Sequence, residues 1–277
     1  MMDSLKTVES DVEAIHRTVL GDATGEAFVA FPSAAAVEKL VGVLDGLDEP
    51  PTVRLLAREG TLKSVMDDFI VASTTADLVA SETLSLGTAE GTGMSSLIAT
   101  DETVVTVVPA GDFVAGLGTD DEGFVASTRE KHEAVWEEAE PFSLRTPPIS
   151  RVHETLAETF GDEVDADFER VLDSLDTARG EGDGLDEVTI SLLVAAKHEL
   201  QLYDISRWGE DTGVASKATF SRTKTRLEDR GLIDTTKVPI DVGRPRLRLL
   251  LGDERLREAD IDDLAGVAQE MLAANPV

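Results

Sequence analysis

The fold of this chain is decided by residues 214–227, which read VASKATFSRTKTRL. Ser216 is placed to cap a helix, because its hydroxyl can accept a hydrogen bond from an exposed amide two or three residues further on. At about 100° per residue, Phe220 and Leu227 fall on one side of that helix and Arg222 falls on the opposite side. The pattern predicts a helix that packs through one side and presents small, hydroxyl-bearing residues around a single arginine on the other.

The outward side of this helix suits the major groove of DNA. Small side chains let the helix approach the base edges, and an arginine can donate two hydrogen bonds to guanine O6 and N7. Lys217 and Arg226 flank this side and are expected on phosphates. The residues predicted to contact DNA from this helix are Ser216, Lys217, Ala218, Thr219, Ser221, Arg222, Thr225 and Arg226.

Two helices are expected before this one. Residues 186–199 place apolar side chains at helical spacing, which predicts the first helix. A shorter helix follows, with Asp204 as its cap and with Ile205 and Trp208 facing inward. Gly213 ends it, because glycine permits the positive φ that a tight turn between helices often needs.

A β-hairpin is expected after Gly231. Residues 246–249, RLRL, alternate between charged and apolar side chains, which is typical of a half-buried strand, and residues 232–240 supply its partner. The tip between them joins a glycine and a proline to Arg244 and Arg246. Both arginines are predicted to contact DNA, and the combination of a flexible and a rigid residue suits placing an arginine in the minor groove.

Charge separates this region from the rest of the chain. Residues 214–250 carry nine basic and four acidic residues, a balance of +5, whereas the whole chain has a balance of −30, so that −35 falls on the other 240 residues. A helix-turn-helix supports other roles, but a basic patch in so acidic a chain favours double-stranded DNA as the partner. We predict a winged helix-turn-helix domain of the α+β class over residues 185–252.

The acidic excess describes the solvent rather than the partner. A chain with 55 acidic and 25 basic residues repels itself at low ionic strength and tolerates high salt, so we expect a halophile. The absence of cysteine excludes disulfides, cysteine-type zinc sites and thiol catalysis. No leader pattern is found, and no apolar run approaches about 18 residues. A cytoplasmic protein that does not associate with membranes is expected.

The N-terminal half, residues 1–145, alternates between strand and helix patterns. Strands separated by helices predict an α/β layer domain with a mostly parallel sheet, extended at one edge by a hairpin. An amphipathic helix is expected first, over residues 5–20. Strands are expected at 26–31, 52–57 and 84–86, helices at 33–44, 61–69, 75–83 and 118–139, and the hairpin over 95–108.

A catalytic role for this half finds little support. The run GTAEGTG at 87–93 lacks a lysine and opens no helix, so it is interpreted as a loop. The histidines at 16, 132, 153 and 198 show neither metal-ligand spacing nor a nearby nucleophile. We expect no catalytic residues, metal or cofactor, and a half that senses a small metabolite or dimerises. The alternative is an α/β enzyme or nucleotide-binding protein whose helical tail is an interaction module.

Pro141, Pro147 and Pro148 place a domain boundary near residues 141–149. Two helices beyond it are expected to form a helical linker over residues 146–184. After the wing, residues 253–277 are predicted to form one acidic amphipathic helix. Its apolar side either packs on its own domain or pairs with a second subunit, and pairing in a homodimer is the favoured interpretation.

Three segments give the chain a family resemblance. They read ISRWGE at 205–210, GVASKATFSR at 213–222 and VGRPR at 242–246. On these residues the chain resembles the haloarchaeal TbsP-type winged-helix transcription factors, and the likeness covers its whole length. The resemblance implies promoter binding and control of metabolic genes. It supplies no effector, since the α/β half carries no motif that names a ligand.

Overall fold

The chain divides into two units near the proline-containing stretch 141–148. A computed structural model describes residues 6–9, 11–90, 96–111, 113–180, 184–239 and 245–274. The first unit comprises Met1–Asp67 and Val71–Leu144, and the second comprises Asp68–Ile70 and Arg145–Val277. The division after Leu144 falls within the proline-containing stretch that was expected to separate two domains.

The first unit is an α/β layer around one sheet. The strands described are β1 Lys6–Glu9, β2 Glu26–Ala30, β3 Thr52–Ala57, β4 Leu84–Thr88, β5 Leu97–Ala99, β6 Val104–Ala110, β7 Phe113–Thr119 and β8 Glu140–Pro141. The helices are α1 Val12–Gly21, α2 Ala34–Asp45, α3 Glu59–Met66, α4 Phe69–Ala80 and α5 Glu122–Glu138. The order across the sheet is β1-β7-β6-β5-β2-β3-β4-β8.

The parallel part of this sheet consists of β2, β3 and β4. Helices connect these strands, which is the arrangement that alternating strand and helix patterns predict. Antiparallel strands continue the sheet on both sides, with β5, β6, β7 and β1 beyond β2 and with β8 beyond β4. The predicted α/β class is confirmed, and the antiparallel part is wider than the single hairpin expected.

Two helix predictions for this unit placed the start too early. Residues 5–20 do not form one helix, because strand β1 precedes α1. Helix α1 begins after Asp11, whose side chain accepts a hydrogen bond from the amide of Ala14 at 3.1 Å. Similarly, the end of strand β7 occupies the start of the stretch 118–139. Helix α5 begins after Asp121, whose side chain accepts a hydrogen bond from the amide of Phe124 at 2.9 Å. In both places an aspartate cap fixes the start of the helix.

Helices cover the two faces of the sheet unequally. α1, α2, α3 and α4 supply core residues on one face, whereas α5 alone packs on the other, around Phe28 and Val125. One helix cannot cover a sheet of eight strands spaced about 4.8 Å apart. On the α5 side, β6, β7 and β1 therefore carry exposed apolar residues. These are Val8, Val108, Phe113 and Leu117.

The second unit contains the predicted winged helix-turn-helix. Its helices are α6 Ile149–Phe160, α7 Asp162–Asp173, α8 Glu187–Lys197, α9 Leu202–Thr212, α10 Lys217–Asp229, α11 Glu254–Glu258 and α12 Leu264–Ala274, with a 3-10 turn at Ile261–Asp263. The hairpin strands are β9 Ile233–Val238 and β10 Arg246–Leu251. Helices α8, α9 and α10 followed by this hairpin give the winged-helix order, so this fold prediction is confirmed.

Helices α6 and α7 are part of this unit rather than a linker. Val152 of α6 and Phe168 of α7 are buried in the same core as Ile190 of α8. Trp208 of α9 also donates a hydrogen bond from Nε1 to Oγ1 of Thr155, at 2.9 Å. The expectation of a helical linker over residues 146–184 is therefore wrong. Its residues 181–183 lie outside the described part of the chain.

The C-terminal segment is not one helix. Residues 253–274 break into α11, the 3-10 turn and α12. Leu256, Leu264 and Met271, which were expected on the inner side, are buried in the core of the second unit. This apolar side therefore packs on its own unit, and the favoured interpretation, in which it pairs with a second subunit, is wrong.

Candidate nucleic-acid interface

A tight turn sets α10 against α9. Gly213 ends α9 with a φ of 96°, in the left-handed region that glycine adopts without strain, as the sequence predicts. The amide of Ala215 donates to the carbonyl oxygen of Gly209 at 3.2 Å. A Cβ atom placed on Gly209 would lie 2.2 Å from Cε2 of Phe220. The two helices therefore cross at Gly209, with the Phe220 ring directly against its backbone.

Helix α10 has the two sides that its sequence predicts. Ser216 caps it, accepting a hydrogen bond from the amide of Thr219 at 3.2 Å. The inward side is formed by Phe220, Thr223 and Leu227, which are buried. The outward side is formed by Ala218, Ser221, Arg222 and Thr225, which are all exposed.

The cations at the start and middle of α10 differ in their partners. Lys217 forms an ion pair with Glu210 of α9. A hydrogen bond from Lys217 holds the pKa of the Glu210 carboxyl below its ordinary value, so the pair is ionised at neutral pH. Arg222 lies on the exposed side, with Nη2 3.4 Å from Oγ1 of Thr219. Within the described ranges, no carboxylate forms an ion pair with Arg222.

The other two cations of α10 are held by the protein. Arg226 donates from Nη2 to Oγ1 of Thr189 at 3.0 Å and lies 3.8 Å from Oδ2 of Asp186, both at the start of α8. Lys224 is paired with Glu228, one turn further along α10, at 2.6 Å. Arg226 was predicted on a phosphate, and the structure places its guanidinium against α8.

The hairpin brings Arg246 to α9. Strands β9 and β10 pair antiparallel, with Arg246 opposite Val238. Nη1 of Arg246 donates to Oε1 of Gln201 and to Oδ1 of Asp204, each at 3.3 Å. Its guanidinium carbon lies 4.4 Å from the centre of the Tyr203 ring. Arg246, the first residue of β10, is therefore held against the start of α9. The predicted contact of Arg244 concerns a residue outside the described part of the chain.

Three positions near this surface differ from, or add to, the sequence prediction. Asp204 was expected to cap α9, but Gln201 occupies the N-cap position, and Asp204 lies in the first turn and accepts from Arg246. Tyr203, the one tyrosine of the chain, is exposed beside Arg246. Lys237 is exposed on β9. The alternation of side chains along a strand could have indicated Lys237. No local pattern could have indicated the contact of Tyr203 with Arg246, because it joins residues distant in sequence.

Each half of the chain matches a known protein family. The family described as transcriptional regulator TbsP-like, N-terminal, matches residues 4–147, and the one described as transcriptional regulator TbsP-like, C-terminal HTH domain, matches residues 148–269. The chain belongs to the TbsP-like transcriptional regulators. The C-terminal match begins just before α6, so the HTH domain of this TbsP-like regulator includes the helices that share its core.

Solved structures resemble this TbsP-like regulator only in part. TrmBL2, described as an archaeal chromatin protein with a novel mode of DNA binding, is 17% identical with a TM-score of 0.37, over 50% of this chain and 54% of that one. The phospholipase D family member Nuc from Salmonella typhimurium is 11% identical with a TM-score of 0.36, over 51% and 99%. NucT from Helicobacter pylori is 11% identical with a TM-score of 0.35, over 51% and 100%. No curated protein matches the chain.

The TbsP-like regulator has concave surfaces in both units. A cavity of about 620 Å³ lies between α6 and α9, where Phe160 and Trp208 line it together with Arg207 and Arg248. A crevice of about 440 Å³ lies at the end of β4. The crevice is acidic, because four glutamates line it. They are Glu59, Glu90, Glu138 and Glu140.

The described ranges contain neither a metal-binding cluster nor a membrane-spanning helix. No group of three or more histidine, aspartate or glutamate side chains is arranged to hold a metal ion there. No helix within those ranges combines the length and the apolar character needed to span a bilayer.

Proposed function

We propose that this TbsP-like regulator binds promoter DNA in a sequence-specific manner, with α10 in the major groove and the hairpin as the wing. The observation that carries this proposal is the outward side of α10, where small residues surround Arg222. A helix can enter the groove closely only if its outward side chains are small, and it reads guanine only if a guanidinium can reach O6 and N7. Arg222 is exposed and has no carboxylate partner among the described residues.

The proposed contacts divide by role. Arg222 reads a base edge, and Ala218, Ser221 and Thr225 line the approach to it. Ser216 and Thr219 lie at the start of α10, where backbone amides favour a phosphate. Lys217, Arg226 and Arg246 contact the DNA backbone after leaving their present partners. Arg244, which lies outside the described residues, is proposed from the sequence to contact the minor groove.

We propose a homodimer formed through the first unit. The exposed apolar residues on β1, β6 and β7 lie on the sheet face that α5 leaves uncovered. Two chains that each carry a balance of −30 repel one another, so they associate best where apolar side chains replace carboxylates. Strand pairing places Val8 and Val108 on either side of Ala115, so the apolar residues form one continuous strip. Pairing of two winged helices then gives a two-fold operator.

The acidic balance supports a halophilic source, and the family resemblance supports metabolic genes as targets. We place the binding of a metabolite effector at the crevice beyond β4, since ligands of parallel sheets bind outside the carboxyl ends of the strands. The glutamates there favour a neutral or cationic metabolite over a phosphorylated one.

Competition in a gel-shift assay tests the proposed function. A labelled promoter fragment is bound in high salt and challenged with unlabelled copies of itself or with random-sequence DNA. We expect the specific competitor to displace the label at a far lower concentration, because specific sites typically bind about 10³-fold or more tightly than random ones. If both unlabelled DNAs displaced the label equally well, the proposed function would be wrong and the enzyme alternative would be favoured.

A further inference from the structure

Helix α9 carries, near each end, a carboxylate that is paired with a proposed DNA-contacting cation. Asp204, in the first turn, lies 3.3 Å from Nη1 of Arg246, the first residue of strand β10. Glu210, in the last turn, is paired with Lys217 at the start of α10. α9 thus joins the wing and α10 through two ion pairs.

Both pairs are open to solvent. The side chains of Lys217 and Glu210 are 44% and 46% exposed, and those of Arg246 and Asp204 are 37% and 40% exposed. An exposed ion pair is weak, because water solvates both partners and each side chain loses rotamer freedom. A phosphate oxygen could therefore take the place of either carboxylate without disturbing the core.

Whether one of these cations has a carboxylate partner depends on the DNA contact proposed for it. Lys217 and Arg246, which are proposed on phosphates, are each occupied by a carboxylate of α9. Arg222, which is proposed on a base edge, has no such partner within the described ranges. Phosphates supply affinity that does not depend on sequence, whereas base edges supply specificity. The carboxylates thus neutralise the cations that would bind any DNA.

We propose that Asp204 and Glu210 are specificity-determining residues that suppress sequence-independent DNA binding. In a loose, non-specific complex both ion pairs stay intact, so Lys217 and Arg246 contribute little. Close approach at the correct site, stabilised by Arg222 on its base, brings phosphates near enough to replace the carboxylates. This inference rests on the proposed function and adds to it a means of rejecting incorrect DNA.

Neutral variants of the two carboxylates test this inference. Asp204→Asn and Glu210→Gln are compared with the parent for binding to a random-sequence duplex. Each should bind up to about fivefold more tightly, the range expected for releasing one exposed ion pair. The slope of log K against log[KCl] should steepen by about 0.9 for each cation released. Affinity for the specific site should change less.

Matched controls separate this effect from net charge. Asp262→Asn removes the same charge from an exposed pair with Arg170 in the same unit and should leave binding unchanged. In a Lys217→Gln background, Glu210→Gln should no longer tighten binding, because the cation that it releases is absent. Thermal unfolding of every variant checks that the fold is retained.

The outcomes are distinguishable. If the parent binds its site but the α9 variants behave like Asp262→Asn, this inference is wrong and the proposed function stands. An equal effect of Glu210→Gln with and without Lys217 would also overturn it. If neither the parent nor any variant binds promoter or random DNA, the proposed function and this inference both fail.

Discussion

Gly209 and Phe220 are in direct contact where α9 crosses α10, and a Cβ atom on Gly209 would lie 2.2 Å from Cε2 of the Phe220 ring. Phe220 is fully buried and anchors the inward side of α10. Because the ring leaves no room for a side chain on Gly209, this contact sets how far α10 stands from the rest of the winged helix. The position of the outward side of α10 depends on it.

Substitution of this glycine should therefore weaken both folding and binding. Gly209→Ala forces the ring or the helix to shift, at a cost of about 1 to 3 kcal/mol in the free energy of unfolding. Denaturant unfolding and promoter affinity measure the two effects. Gly266→Ala is the matched control, since the added Cβ on α12 meets nothing within 4 Å beyond its chain neighbours and the backbone of its own helix. That variant should be neutral or more stable by up to about 1 kcal/mol. Equal stability of both variants would contradict the account.

The salt dependence of binding should be shallow. Five phosphate contacts would give a slope of log K against log[KCl] of about −4.5. When Lys217 and Arg246 exchange a carboxylate for a phosphate, the freed carboxylate attracts a cation from solution, and net counterion release falls. Promoter affinity between about 0.5 and 2 M KCl should therefore change less than this slope requires. Circular dichroism must show folded protein throughout. A slope near the full value would mean that the acidic surface takes no part.

How much the sequence predicts depends on whether the signal is local. The cap at Ser216 and the two sides of α10 rest on neighbouring residues and helical period, and these predictions are confirmed. The pairing of Asp204 with Arg246 joins residues 42 positions apart, which no local pattern indicates. Likewise, α6 was interpreted as part of a linker because nothing in its own sequence shows that Val152 packs against the winged helix.

The apolar strip on the first unit should hold the homodimer together. Phe113 and Leu117 lie two strand repeats apart on the same face of β7, and both are exposed. Phe113→Glu combined with Leu117→Glu places two charges on the strip and should give a monomer. Light scattering should find twice 29.6 kDa for the parent and 29.6 kDa for the variant.

A charge elsewhere on the first unit serves as the control for dimerisation. Val79→Glu adds an exposed charge on α4, a helix that supplies core residues to the opposite face of the sheet. This variant should keep the mass of the parent. A monomeric parent, or dimers that survive the double substitution, would show that the strip is not the interface.

Stability should fall as the pH drops below about 6.5, and His16 should account for part of the loss. Burial lowers the pKa of His16 to about 4, against an ordinary value of 6.5. Between these values the unfolded chain binds a proton that the folded chain does not, so the free energy of unfolding decreases with falling pH, by about 3 kcal/mol in all. Above pH 6.5 the effect vanishes.

Unfolding of the parent and of His16→Leu at constant KCl measures this contribution. The variant should show a smaller loss of stability between pH 6.5 and 4 than the parent, because the titrating group is gone. The comparison uses the difference between the two proteins, so that contributions common to both cancel. Parallel pH profiles for the two proteins would contradict the assignment to His16.

Selection from a random-sequence DNA pool, followed by sequencing, tests the central claim that the outward side of α10 reads bases. The full chain, Arg222→Ala and the control Arg255→Ala, which changes an exposed arginine on α11, are selected in parallel in KCl. We predict that the parent and the control select the same two-fold motif. Arg222→Ala should lose its preference at one position of each half-site, at a cost of about 1 to 3 kcal/mol. Recovery of the same motif with the same affinity by all three proteins would contradict the account.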